Sequence, residues 1–228
     1  MLNTVVFSDI HGNIYALEAM LRQLENDGVE QFFFCGDIMG YFPWQEKVIE
    51  HFQKMPYLYA VLGNHDAYYL QTADGSPERM AYARKYGKSY ANGPGDAGKA
   101  YLRSLPHAIE LYQEGKKILI VHGSAAQHLE GRVYADTEVE TSEFARYDLV
   151  FSGHTHYRMK RKIGHTILLN PGSLGQPRDD QGYSYCLIDM KKEEFLFRNV
   201  CVDQEQLLHQ LRLFEEDKRL LAYLKSKM

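Results

Sequence analysis

The chain has 228 residues, 45% of them hydrophobic and 25% charged, with a net charge of −4 at pH 7. At a prior of roughly 150 residues per domain, this length predicts one domain over 1–228, large enough to bury a core without disulfides. The acidic balance argues against a broad basic face for nucleic acid, and no run approaches the ~20 apolar residues a membrane-spanning helix needs.

The opening run MLNTVVFSD lacks a basic stretch followed by a long apolar segment, so no secretory leader is expected. Thr4–Ser8 reads as a short strand that stops at Asp9-Ile10-His11-Gly12-Asn13. Leu17, Met20, Leu21 and Leu24 then follow a helical spacing, with Gly28 in the place of a C-cap. Gln31–Cys35 predicts a second strand, Val48, Ile49 and Phe52 a second helix, and Tyr57–Leu62 a third strand. This βαβαβ rhythm implies parallel strands joined by right-handed crossovers.

Residues 67–104 break the rhythm and predict a mostly helical, Tyr-rich insertion. Strand-like runs follow at His107–Tyr112, Lys117–Val121, Leu149–Phe151, Tyr157–Ile163, Thr166–Leu169, Tyr183–Ile188 and Glu194–Cys201, which together predict a second, mixed sheet. Over 204–226, Leu207, Leu208, Leu211, Leu220, Leu221 and Leu224 lie on a helical stripe expected to cover that second sheet. The predicted architecture is α/β, two packed sheets flanked by helices. The three cysteines, Cys35, Cys186 and Cys201, are odd in number and far apart. They predict reduced, buried thiols in a cytoplasmic protein.

Chemistry is concentrated where the strands end. Asp9-x-His11, Gly36-Asp37, Gly63-Asn64-His65-Asp66, His122-Gly123 and Gly153-His154-Thr155-His156 each follow an apolar strand. In α/β sheets ligands bind at the carboxyl ends of strands, so these distant residues can meet at one rim. Mixed Asp, His and Asn without thiolates suit a divalent transition ion: Mn first, with Fe, Ni, Co or Zn as alternatives. The set is too large for one ion. It suits two that share a carboxylate roughly 3.5–4 Å apart, the arrangement used in phosphoester hydrolysis. His51, His107, His128, His165 and His209 lie outside the clusters and read as surface or structural.

The order D-x-H, G-D, G-N-H-D, H-G, G-H-T-H resembles the calcineurin-like metallophosphoesterases. Ser8–Asn13, Gly40-Tyr41-Phe42-Pro43 and Asn170–Arg178 are similar to the small YfcE-like phosphodiesterase branch. The resemblance implies the metallo-dependent phosphatase fold, a four-layer αββα sandwich, and a phosphoric ester hydrolase working through metal-activated hydroxide. It implies that Asp9, His11 and His156 bind one ion, that Asn64, His122 and His154 bind the other, and that Asp37 bridges them. His65 becomes the general acid, with Asp66 holding its ring; the alternative is a His65 that only orients Asp37 or Asp66. Asn13, Tyr41 and Arg178 are candidate substrate contacts, although Arg178 could equally form an ion pair with Asp179. Tyr68, Tyr69, Tyr82, Tyr86 and Tyr90 either stack on a base or aryl group or fill the core. Ser/Thr protein phosphatases carry Asp-Arg-Gly and G-N-H-E, where this chain has Gly40-Tyr41-Phe42 and Asp66, so the arginine of that branch is missing. The expected substrate is a small phosphodiester or nucleotide. A phosphomonoesterase, a dinucleoside polyphosphate hydrolase or a non-catalytic scaffold remains the alternative. No membrane or nucleic-acid partner is expected, and an aromatic edge leaves a homo-oligomer open.

Overall fold

In the computed structural model, which describes residues 2–214 and 218–226, Thr4–Phe7 forms strand β1, buried along its whole length. Alternation divides its side chains. Val5 and Phe7 enter an outer core with the first helices, while Val6 points into the space between two sheets. The chain continues through α1 (Ile14–Leu24), β2 (Gln31–Phe34), α2 (Gln45–Phe52) and β3 (Leu58–Ala60). Strands β1, β2 and β3 pair in parallel, as the predicted crossovers require. Helix α1 ends at Leu24 with Glu25 as its C-cap, so Gly28 (φ 66°) serves the following turn instead.

Four helical pieces come next: α3 (Asn64–Gln71), α4 (Pro77–Tyr86), a 3-10 turn (Lys88–Tyr90) and α5 (Asp96–Ser104). Strands β4 (Ala108–Gln113), β5 (Lys116–Val121), β6 (Leu149–Phe151), β7 (Arg158–Ile163) and β8 (Thr166–Pro171) build a sheet in the order β4-β5-β6-β8-β7. Its outer face is covered by the short helix α6 (Thr141–Phe144), through Phe144, and by Val133 and Tyr147.

Strands β9 (Ser184–Asp189) and β10 (Glu194–Asn199) correct the expectation of a single late sheet. This hairpin joins the first sheet, with β9 antiparallel to β1, giving the order β10-β9-β1-β2-β3. The edge of β1 opposite β2 needs a partner for its amides, and β9 supplies it. The leucine stripe moves with it. Helices α7 (Gln204–Leu213) and α8 (Lys218–Ser226) bury Leu207, Leu208, Leu211, Leu220 and Leu224 with α1 and α2 on the first sheet. Residues 215–217 of the expected 204–226 helix lie outside the described residues.

Two mixed five-stranded sheets thus face each other across Val6, Phe33, Cys35, Ile118, Ile120, Phe151 and Leu169, with helices flanking them. Cys35 and Cys186 are free and buried as expected, whereas Cys201 is free but exposed just beyond β10. Among the described residues, no helix is long and apolar enough to cross a membrane.

Candidate metal centre

Parallel strands β1, β2 and β3 of one sheet and β5 and β6 of the other all deliver their carboxyl ends to one rim. Asp9 and His11 follow β1, Asp37 follows β2, Asn64 opens α3 after β3, His122 follows β5, and His154 and His156 follow β6. Asp9, His11, Asp37, His154 and His156 all adopt left-handed backbone, with φ between 48° and 70°. Non-glycine residues rarely tolerate this conformation, and such strain concentrates at functional sites. Two glycines give the carboxylates room. A Cβ on Gly63 would lie 2.0 Å from Asp37 Oδ1, and one on Gly153 would lie 2.6 Å from Asp9 Oδ2.

The histidines are oriented from behind. His11, His122 and His156 place Nδ1 against the carbonyls of Met39, Cys35 and Gln176 at 2.7, 2.7 and 2.6 Å. A ring donating through Nδ1 presents Nε2 to the centre, the arrangement by which backbone acceptors fix metal-binding imidazoles. His11 Nε2 and His156 Nε2 come within 3.2 Å of each other, and His156 Nε2 is 3.2 Å from Asp9 Oδ1. Asp37 Oδ2 stands between the two halves, 3.8 Å from His11 Nε2 and 3.3 Å from His122 Nε2. His122 Nε2 also meets Asn64 Oδ1 at 2.9 Å. Asp37 Oδ2 and His154 Nε2 are buried without a hydrogen-bond partner.

This donor set fits a divalent cation. Asp9, His11 and His156 form one group, and Asp9, Asp37 and His122 another, with ligand atoms within 4.8 Å of one another. Converging lone pairs and buried, unsatisfied acceptors are unfavourable unless positive charge lies between them. The electrostatics agree. Burial alone would raise the Asp9 carboxyl, but the charge and hydrogen bond of His156 and the charge of His122 hold it at about 2. Burial pushes His11 down to about 3; burial and the charge of His122 do the same to His154.

Around this centre several expected roles change. Asp66 does not hold the His65 ring. At N3 of α3, its carboxylate accepts the backbone N–H groups of Asp37, Ile38, Met39 and Gly63 at 2.8–3.1 Å. It therefore caps the helix and fixes the Asp37 loop. Burial, then the Asp37 charge, pushes its carboxyl up to about 7 against the pull of those amides. Asn13 has its side chain engaged within the fold. It is fully buried, its Oδ1 accepts from Ala16 N–H at the start of α1, and its Nδ2 donates to the Leu174 carbonyl. Asp179 pairs with Arg158 at 3.2 Å, so the Arg178–Asp179 ion pair is not formed. The Arg178 charge instead lies near the Tyr41 hydroxyl and opposes the burial that pushes it up to about 12.

Two features escaped the sequence. The hydroxyl of fully buried Tyr90 hydrogen-bonds His65 Nδ1, and Arg132 lies close enough to His154 to lower its basicity. No local pattern distinguishes Tyr90 from its neighbouring tyrosines. Tyr41 and Tyr86 pack edge-on against His11 and His65, with centroids 4.8 and 4.7 Å apart, whereas Tyr69 is buried in the core. The Asn170–Arg178 segment acts as a brace: Asn170 Nδ2 donates to the Gly153 carbonyl and Ser173 Oγ to that of Asp9. None of His51, His107, His128, His165 and His209 is buried.

Comparison with known proteins places this rim in a family. The chain is 33% identical over 210 residues to an uncharacterized protein of Methanocaldococcus jannaschii, covering 82% of each. Its fold is similar to that of a metallophosphoesterase from Sphaerobacter thermophilus (TM-score 0.81, 22% identity, 99% of this chain and 98% of that one). It is also similar, more distantly, to the phosphoesterase YfcE from E. coli (TM-score 0.54, 18% identity, 87% and 99%). Residues 2–193, which carry every strand-end cluster described above, match the calcineurin-like phosphoesterase superfamily domain, and the chain belongs to that superfamily.

Proposed function

We propose that the protein is a dinuclear metal-dependent phosphodiesterase acting on a small phosphodiester or nucleotide. The observation that carries this reading is Asp37 Oδ2, buried without a hydrogen-bond donor between His11 Nε2 and His122 Nε2. Asp9, His11 and His156 would hold one ion, Asn64, His122 and His154 the other, and Asp37 both. Mn is the first candidate, and the free thiols suit a reducing, cytoplasmic setting. Paired ions in such a clamp supply an activated water and neutralise charge on the phosphoryl oxygens. His65, beside Asn64 and flanked by Tyr86, donates to the leaving oxygen. Arg178, exposed and near the Tyr41 hydroxyl, offers a cation to the bound phosphate. A diester carries less charge than a monoester dianion, and the half-buried rings of Tyr41, Tyr82 and Tyr86 give its second ester group an apolar wall.

Asp37→Ala tests this reading. Mn content measured by elemental analysis is expected to fall from about two ions per chain to below one, and hydrolysis of bis(4-nitrophenyl) phosphate by about 10³-fold or more. Wild-type turnover by that variant would end the proposal. A second reading, hydrolysis of a dinucleoside polyphosphate, draws support from exposed Arg132 and Arg178, whose charges are felt at His154 and Tyr41 and suit a further phosphate. Release of nucleoside monophosphate from a diester, compared with cleavage of a dinucleoside tetraphosphate, separates the two.

A further inference from the structure

We propose that Tyr90 is the positioning residue for His65, its hydroxyl gripping the Nδ1 edge of the ring so that Nε2 faces the leaving oxygen. This rests on the reading of His65 as the donor to that oxygen. The carboxylate that sequence order suggested for the task, Asp66, has its acceptor capacity taken by four backbone amides. The one hydrogen bond to the His65 ring among the described residues comes from Tyr90, which is 0% exposed. A fully buried phenol cannot itself reach substrate, so it acts through the imidazole.

The surroundings hold this contact in place. A Cβ at Gly40 (φ 105°) would lie 3.2 Å from His65 Nδ1 and 3.7 Å from the Tyr90 hydroxyl, so the backbone there passes directly beneath the pair. Tyr86 meets the His65 ring edge-on at 4.7 Å, and Tyr82 lies 6.3 Å away. Tyr90 is delivered by the Tyr-rich segment, which docks on the Gly40–Tyr41 loop through the Tyr41 N–H to the Tyr86 carbonyl. The next residue, Gly87 (φ 105°), lies so close to the Tyr41 carbonyl that a Cβ would approach it to 2.6 Å.

A phenol suits the task differently from a carboxylate. Burial keeps the Tyr90 proton in place. The hydroxyl can donate to a bare Nδ1 or accept from a protonated one, so it orients both forms of the ring. A carboxylate can only accept and would favour a proton on Nδ1. With Nδ1 gripped, Nε2–H faces the leaving oxygen. As a water oxygen bonds to phosphorus, the P–O bond to the leaving group breaks with its electron pair going to that oxygen. The oxygen takes the Nε2 proton of the doubly protonated ring and leaves a neutral imidazole whose Nδ1–H the Tyr90 hydroxyl accepts.

The test compares Tyr90→Phe, His65→Gln and the double variant on diesters that differ only in leaving group: 4-nitrophenyl, phenyl and alkyl. A leaving oxygen of low basicity needs little help from a donor, and an alkoxide needs much. Tyr90→Phe is expected to lower kcat about 10–100-fold on the alkyl ester and less than about 2-fold on the 4-nitrophenyl ester, with KM and metal content unchanged and Tm lowered by no more than about 5 °C. In the His65→Gln background, removing the hydroxyl should cause no further loss. An equal loss on all three esters, a loss that persists without His65, or a collapse of metal content or Tm would overturn the inference. If His65→Gln itself shows no dependence on leaving group, the reading of His65 fails and takes the inference with it. A leaving-group-dependent His65→Gln beside a uniform Tyr90→Phe sinks the inference alone.

Discussion

His122 shows how a single residue couples protons to the cation site. Burial alone would lower its imidazole, but the charge of Asp37, helped by Asp9 and the Cys35 carbonyl, pushes it up to about 9. Its Nδ1 meets a carbonyl and its Nε2 meets Asn64 Oδ1 and Asp37 Oδ2, acceptors on both sides of the ring. In chelator-treated protein the raised value stabilises the fold fully below the ordinary 6.5, and that contribution is lost as pH rises through about 9. A divalent ion must displace this proton to use Nε2. Titration with Mn at pH 7.5 in two buffers of different ionisation enthalpy is therefore expected to report release of about one proton per chain. Heats that do not depend on the buffer would contradict it. The ligand types at these positions were legible because each cluster is local in the chain. The partners of Asp66, Asn13 and Arg178 were not, because a side chain's hydrogen-bond partner depends on which distant loop arrives beside it.

Helices and strands were legible in kind more than in destination. The spacing of Leu17, Met20, Leu21 and Leu24 gave α1, and its true start is set by Asn13, whose amide caps the helix and ties it to the Leu174 carbonyl. Asn13→Ala removes an N-cap and leaves a buried carbonyl unpaired, a loss of about 2–3 kcal/mol. Thermal unfolding should show Tm lower by about 5–10 °C with metal content retained. A change below about 1 °C would mean that the cap is replaceable. The leucines of α7 and α8 announced a helical stripe, but a stripe does not say which apolar sheet face it will cover. That was fixed when β9 and β10 joined the first sheet and left its outer face to be closed.

At the scale of the whole molecule, the centre exists only while both sheets stay packed. Asp9 and Asp37 hang from the first sheet, His122 and His154 from the second. Phe33 and Phe151 lock the sheets together, with ring centroids 5.6 Å apart and both side chains fully buried. Phe151→Ala opens a cavity at that seam and is expected to destabilise the protein by about 3–5 kcal/mol, lowering Tm by about 10 °C or more. Metal affinity should weaken too, because the ligands lose their common frame. Unchanged affinity in a destabilised variant would mean that the rim is held by the loops alone.

By itself the sequence determined that apolar strands run into Asp, His and Asn clusters and that the early strands lie parallel. Both follow from side-chain chemistry and periodicity within a few residues. Tertiary structure alone decided that the last hairpin completes the first sheet, that Asp66 serves backbone amides, and that Tyr90 holds His65. Those choices are made between segments far apart in the chain, where the outcome turns on which pairing leaves the fewest buried polar groups unsatisfied.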